Sequence, residues 1–258
     1  RSGVQVSMWI DTHCHLDAAE FADDRDAVAA AAHAAGVTTI VVPAVAAANF
    51  PAVRDCCQRY PGCVAAYGIH PLYTPQAADG DLQVLREWVA RERPVAIGEI
   101  GLDHFVPGID PEQRHFFVEQ LKIAQAFDLP VLLHVRRAID PVLRELRRHR
   151  VRGGIAHAFN GSRQQADMFI ELGFALGFGG AMTWPRATRL RELATTLPLE
   201  AIVLETDAPD IPPAFVGRGR NEPAFLPRIA ETLCELRAIS PAALATASRQ
   251  SAARILQR

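Results

Sequence analysis

Eight short apolar runs, rich in β-branched residues or glycine, punctuate the chain at 9–15, 38–45, 64–71, 95–103, 130–136, 153–159, 175–180 and 202–209. Their starts recur every ~20–35 residues, the room that a helix and two loops need between parallel strands. The stretches between them carry helical marks. Residues 22–35 are alanine-rich and stopped by Gly36; residues 111–127 follow Asp110 with proline at the first helical position; Gly161-Ser162 opens a helix that Gly173 closes. Near-continuous runs such as 39–45 suit strands covered on both faces, as in a parallel sheet with helices outside. Eight such units favour closure into a single-domain α/β architecture, a (β/α)8 TIM barrel, over an open doubly wound sheet. After the eighth run come a long loop rich in proline and glycine, a helix from about Pro223, and a last helix over 241–257.

Composition narrows the class without naming a function. Apolar residues make up 49% and charged residues 22% of a 258-residue chain, as in ordinary globular proteins with a proper core. A net charge of −2 excludes a globally basic coat for nucleic acid but allows an enzyme that grips a few phosphates locally. All but one of the 27 basic residues are arginine, Lys122 being the exception. A GC-rich genome would account for that bias, and arginine is also the better bidentate phosphate ligand. Five cysteines without a Cys-x-x-Cys pair argue against a disulfide framework and for a reducing, cytoplasmic setting. No apolar run reaches the ~18 residues that span a bilayer, so no membrane partner is expected. Residues 1–7 lack the apolar core of a signal peptide and read as a tag or loose tail before Met8, with 8–258 as the barrel domain.

Polar residues interrupt the apolar runs where a barrel builds its site. Asp11-Thr12-His13-Cys14-His15 sets two imidazoles two residues apart at the end of the first run, and alternate residues of a strand face one way. Glu99 lies in the fourth run, His134 in the fifth, His157 in the sixth and Asp207 in the eighth. Toward the carboxyl ends of separate strands, these residues converge on one pocket. A lone histidine in such a run is more often a hydrogen-bonded core residue, but that reading does not explain six candidate ligands on five strands. Four imidazoles and two carboxylates suit Zn2+, Mn2+, Co2+ or Fe2+; Mg2+ fits less well because it favours oxygen ligands. Six ligands exceed the three that one open catalytic zinc takes, so two divalent ions bridged by Glu99 use the set better. His13 and His15 then lie on one side of Glu99, and His134 and His157 on the other. Asp207 would hold the first ion and orient or deprotonate the attacking water, making Glu99 and Asp207 the catalytic carboxylates.

The motifs Ile10-Asp11-Thr12-His13-Cys14-His15-Leu16-Asp17, Gly68-Ile69-His70-Pro71, Ile97-Gly98-Glu99-Ile100-Gly101-Leu102-Asp103, Leu133-His134-Val135-Arg136, His157-Ala158-Phe159-Asn160-Gly161-Ser162 and Glu205-Thr206-Asp207-Ala208-Pro209 follow one another along the chain. Together they resemble the TatD-type metal-dependent hydrolases of the amidohydrolase-like superfamily, from about residue 9 to the C-terminus. The resemblance implies a barrel, divalent metals and, for several members, a deoxyribonuclease activity that trims DNA from the 3′ end. His104 stands where the family often has an aromatic residue, and Ala158 where it often has cysteine; neither change removes a ligand.

Further residues complete the expected site. Arg136, two past His134, should face the same pocket as a phosphate clamp, and His70 matches a family motif that reaches it. Arg218 and Arg220 follow the eighth strand on the active face and are candidates for backbone phosphates. The run Arg144, Arg147, Arg148, Arg150 and Arg152 reads instead as a solvated helix toward the opposite end. Glu205 is expected to point into the barrel as a structural carboxylate, and Cys14 to be a core residue. The leading expectation is a 3′–5′ exodeoxyribonuclease acting through metal-activated water, with DNA or another phosphodiester as substrate and no obligate protein partner. The alternative keeps the metal centre but hydrolyses an amide, lactone or ester bond, including the ester of a D-aminoacyl-tRNA.

Overall fold

Each apolar run becomes a strand of one parallel sheet in the computed structural model, which describes residues 7–256. The expected tail, apart from Ser7, lies outside the described residues. The strands are β1 (Trp9–Asp11), β2 (Val37–Pro43), β3 (Cys63–Tyr67), β4 (Ala96–Asp103), β5 (Val131–Arg136), β6 (Gly154–Ala156), β7 (Phe174–Phe178) and β8 (Ile202–Leu204), neighbours in sequence being neighbours in space. Residues just past β1 and β8 close the barrel. Thr12 donates to the Leu204 carbonyl from its backbone N at 3.1 Å and from Oγ1 at 3.0 Å, and Asp207 N donates to His13 O at 2.8 Å.

Helices α1 (Arg25–Ala34), α2 (Phe50–Arg59), α3 (Asp79–Glu92), α4 (Asp110–Phe127), α5 (Ile139–Arg148), α6 (Arg163–Glu171), α7 (Thr188–Thr196) and α8 (Leu226–Arg237) fill the connections and the segment after β8, before α9 (Pro241–Leu256) ends the described chain. The helical marks act as written. Gln165 N donates to Ser162 Oγ at 3.1 Å and Ser162 N to Gln165 Oε1 at 3.0 Å, so Gly161-Ser162 opens α6 through a reciprocal cap. Gly36, just past α1, takes φ +88°, a left-handed turn that glycine makes without strain. Among the described residues, no helix is long and apolar enough to cross a membrane.

Alternation along the strands sorts the core into two layers. Tyr67, Ile97, Leu133 and Leu204 belong to the large cluster beneath the surrounding helices. Val41, Ala66, Ala96, Leu132, Ile155, Ala175 and Val203 form a second cluster inside the barrel, joined by Ala252, Ile255 and Leu256 of α9. That last helix therefore plugs the amino-terminal mouth and leaves the carboxyl-terminal mouth open.

The strands end sooner than the apolar runs. Glu99 and His134 lie within strands, but His13, His15, His157 and Asp207 fall in the segments just past β1, β6 and β8 rather than on the strands themselves. The splaying backbone there makes single bonds to neighbouring segments instead of a ladder: His15 N donates to Ala208 O at 2.8 Å and His157 N to Leu133 O at 3.0 Å.

Candidate metal centre

Above the apolar filling, the inward positions turn polar, and Glu99 stands at their centre. Its Oε2 lies 3.0 Å from His13 Nε2 and 3.5 Å from His15 Nε2; its Oε1 lies 3.2 Å from His134 Nδ1, 3.6 Å from His70 Nε2 and 3.8 Å from His157 Nε2. Asp207 Oδ1 faces His13, His15 and His157 at 3.6, 3.5 and 3.6 Å. All six expected ligands thus meet around two carboxylates. His157 stacks on His13, with ring centroids 3.5 Å apart, while His134 pairs with His70 across Glu99.

Several of these separations are too long for good hydrogen bonds. Four ligand atoms placed ~2.0–2.1 Å from one zinc ion lie roughly 3.3–3.5 Å from each other, so the spacing matches the edges of a coordination polyhedron. A second feature fits metal as well. His134 Nε2 contacts Asp103 Oδ2 at 2.9 Å and His157 Nδ1 contacts Glu205 Oε1 at 3.0 Å, leaving the other ring nitrogen of each turned toward Glu99. Carboxylates behind imidazoles in this way orient metal ligands and raise their basicity. Three groupings have ligand atoms close enough to hold an ion: His13, His15 and Glu99; His70, Glu99 and His134; and His13, His157 and Glu205.

One of those groupings fails on proton placement. Leu72 N donates to His70 Nδ1 at 3.1 Å, so that nitrogen must present its lone pair. Burial pushes His70 down to about 3, and the neutral ring then carries its proton on Nε2. His70 is therefore a hydrogen-bond donor into the site and not a ligand. The other imidazoles behave differently. Burial opposes charge on His15 and His157, yet the surrounding carboxylates outweigh it and raise them to about 9 and about 10. Burial alone would raise Glu99, but His13, by charge and hydrogen bond, and the hydrogen bond with His134 hold it well below the usual carboxylate range. Loading a metal here must expel imidazole protons.

Buried polar residues outside the set of expected ligands hold this geometry. Asp11 Oδ1 accepts from Thr206 N at 2.9 Å and from His13 N at 3.2 Å, and Asp11 Oδ2 accepts from Thr206 Oγ1 at 2.5 Å. One carboxylate thereby ties the His13 segment to the Asp207 segment. Asn221 Nδ2 donates to the carbonyls of Thr206, Asp210 and Ile211, bracing the same loop from the other side. Glu205 fills the space of an absent side chain: a Cβ on Gly177 would lie 2.3 Å from Glu205 Oε2. A glycine inside an apolar strand was the available sign of that close approach.

The centre floors a cleft of about 1750 Å³. Seven described residues other than glycine have left-handed φ, and three of them, Arg93, Asp128 and Ala238, end helices. The other four, Arg137, Ala158, Asp207 and Ile211, all line the cleft. Backbone strain of this kind gathers at functional sites. His70 and Arg136 reach the cleft as expected, and Arg137 and Arg189 line it as well. Arg218 and Arg220 do not. Arg220 is consumed by structure: its guanidinium donates to Asp24 at 2.9 and 2.6 Å, to Glu222 at 2.9 Å and to Glu20 O at 2.8 Å. The run from Arg144 to Arg152 also lies outside the cleft lining.

A closed parallel barrel with carboxylate-linked imidazoles at its carboxyl-terminal mouth defines the class of barrel hydrolases that work with metal ions. Comparison with known proteins gives the family. Residues 10–257 match the family model described as TatD related DNase. The uncharacterized metal-dependent hydrolase YjjV of Escherichia coli K12 is 43% identical over 239 residues, 90% of this chain and 91% of that one. The 3′-5′ ssDNA/RNA exonuclease TatD of Escherichia fergusonii is 32% identical over 249 residues, 91% of this chain and 94% of that one. The crystal structure of YjjV aligns with a TM-score of 0.94 at 39% identity, covering 98% of this chain and 99% of that one. The chain belongs to the TatD family and is a metal-dependent hydrolase.

Proposed function

We propose that the protein is a 3′–5′ exodeoxyribonuclease, a phosphodiester hydrolase that uses two divalent ions sharing Glu99. His13, His15, Glu99 and Asp207 would hold one ion, and Glu99, His134 and His157 the other. Divalent ions there supply positive charge that polarises the scissile bond and lowers the pKa of water. The side chains do the rest. Asp207, turned inward by its φ of +56°, orients the attacking water and takes its proton on the carboxylate. His70 donates from Nε2 to a phosphoryl oxygen, a role that its Nδ1 bond to Leu72 N enforces. Arg136 lines the cleft above His134 and offers its planar guanidinium to a phosphate.

The observation that carries the reading is the cleft itself. At about 1750 Å³ it exceeds the ~300–1,000 Å³ of a typical small-molecule pocket, and three guanidinium side chains line it. A small lactone or ester needs neither. The name of the Escherichia fergusonii relative supports the same substrate. The test is hydrolysis by chelator-stripped protein reloaded with Zn2+, Mn2+, Co2+, Fe2+ or Mg2+ in turn. Substrates are single-stranded DNA labelled at either end, a lactone, a carboxylic ester and D-aminoacyl-tRNA. The expected result is a ladder that shortens from the 3′ end; turnover confined to the lactone or carboxyl esters overturns the reading.

A further inference from the structure

The cleft wall is divided electrically, and the division follows the strand order. In the half formed by the loops after β4 to β7 stand Arg136, Arg137 and Arg189. The half formed by the loops after β8, β1, β2 and β3 contributes Asp17, Glu20, Asp81 and Asp210, with no arginine or lysine among its lining residues. We infer that single-stranded DNA enters over the basic half alone, with Phe105 and its two arginines as a base-stacking platform, and that the acidic half admits only a strand's end. This inference rests on the nuclease reading.

Phe105, in the loop after β4, is 46% exposed and packs against two arginines of the cleft lining without lining the cleft itself. Two cations hold it there. The Cζ of Arg136 lies 3.7 Å and that of Arg137 4.7 Å from the ring centroid. Aromatic rings and guanidinium planes are the surfaces on which unpaired bases stack, and the same charges meet the phosphates between those bases. Arg137 holds its place at φ +53°, a conformation unfavourable for arginine. Across the next loops, Arg189 Nη2 donates to Asn160 Oδ1 at 3.1 Å, extending the basic surface along the wall.

The carboxylates in this half are already engaged. His134 Nε2 contacts Asp103 at 2.9 Å, and Gln165 Nε2 donates to Asp140 at 3.0 Å. Three guanidinium charges thus face Asp140 and a histidine-paired Asp103, and the wall keeps a positive balance for a polyanion. In the other half the sign is reversed. A strand continuing past the scissile phosphate would set its next phosphates against Asp17, Glu20, Asp81 and Asp210, whereas a terminal nucleoside with a free hydroxyl brings no further phosphate. Repulsion between like charges then converts a general phosphodiesterase into one that works from an end.

The test measures kcat/KM of the metal-loaded enzyme on oligothymidylates from dinucleotide to octanucleotide, and on circular single-stranded DNA. For the wild type, kcat/KM should climb by about tenfold for each stacked base, then level off. Phe105→Ala and Arg137→Gln should flatten that climb chiefly through KM, while Arg150→Gln, outside the cleft, keeps the wild-type profile. The circle should resist. A flat profile in the wild type or an unchanged climb in both cleft variants overturns the inference alone; cleavage of the circle overturns the exonuclease reading together with it. Failure on every oligonucleotide, with turnover of carboxylic esters, overturns the nuclease reading and this inference with it.

Discussion

At the amino-terminal mouth of the barrel, Ala252, Ile255 and Leu256 of α9 close over Val41, Leu132, Ile155 and Val203. At the carboxyl-terminal mouth, the same strands lead into buried Asp11, His13, Glu99, Glu205 and Thr206, and the loops beyond carry four strained residues. The first region gains from removing hydrocarbon from water, at roughly 25 cal/mol per Å². The second buries ionisable groups and leaves His13 Nδ1, Asp17 Oδ1 and Glu205 Oε2 without hydrogen-bond partners. Such atoms cost about 1–3 kcal/mol each when desolvated. The contrast shows that one barrel separates the work of staying folded from the work of holding charge. The plugged end offsets what the open end costs.

Substitutions at the two ends should therefore separate activity from stability. Asp207→Asn is expected to lower kcat by about 10²–10⁴-fold while leaving Tm unchanged and part of the bound metal in place. Near-normal turnover would remove Asp207 from its role as proton acceptor. Ile255→Ala, in the plug, should cost about 2–5 kcal/mol in denaturant unfolding with kcat/KM of the folded protein intact. A matching loss of activity would break the comparison. Gly177→Ala joins the two regions, because its methyl group must displace Glu205 and so loosen His157. Metal affinity should fall about 10–100-fold by titration, with a smaller loss of stability. The slightest effect belongs to Arg220→Gln. Its partners are half-buried surface carboxylates, so unfolding should shift by about 0–1 kcal/mol and KM for DNA should not move.

The barrel was legible in the sequence because a strand covered on both faces must be apolar throughout, and because caps such as Ser162 and proline at the start of α4 act locally. The meeting of the six candidate ligands was legible because imidazoles and carboxylates recur at the ends of apolar runs that a barrel brings to one mouth. What escaped the sequence depends on long-range paths. The tautomer of His70 is set by a backbone N–H two residues on, but its aim at Glu99 is set by the barrel. Arg218 and Arg220 shared a loop on the active face, yet the salt bridges from Arg220 to Asp24 and Glu222 could not be read without knowing that this loop crosses α1. Arg137, which no motif marked, lines the cleft from a left-handed backbone that the sequence does not announce. Asp11, inside a recognised motif, was overshadowed by the histidines that it positions.

The seam between β1 and β8 has a consequence during synthesis. The carboxylate of Asp11 and the amide of Thr206 that it accepts from stand 195 positions apart. Chains emerge from the ribosome N-terminus first, so His13 and His15 leave the tunnel long before Asp207 exists. Until β8 arrives, His13 and His15 lack the Asp207 carboxylate and the strand that holds them in register. A product released early, by a broken message or a stalled ribosome, lacks a closed barrel and the Asp207 carboxylate together. The cell is spared a half-made hydrolase because closure of the fold and assembly of the candidate site are the same event.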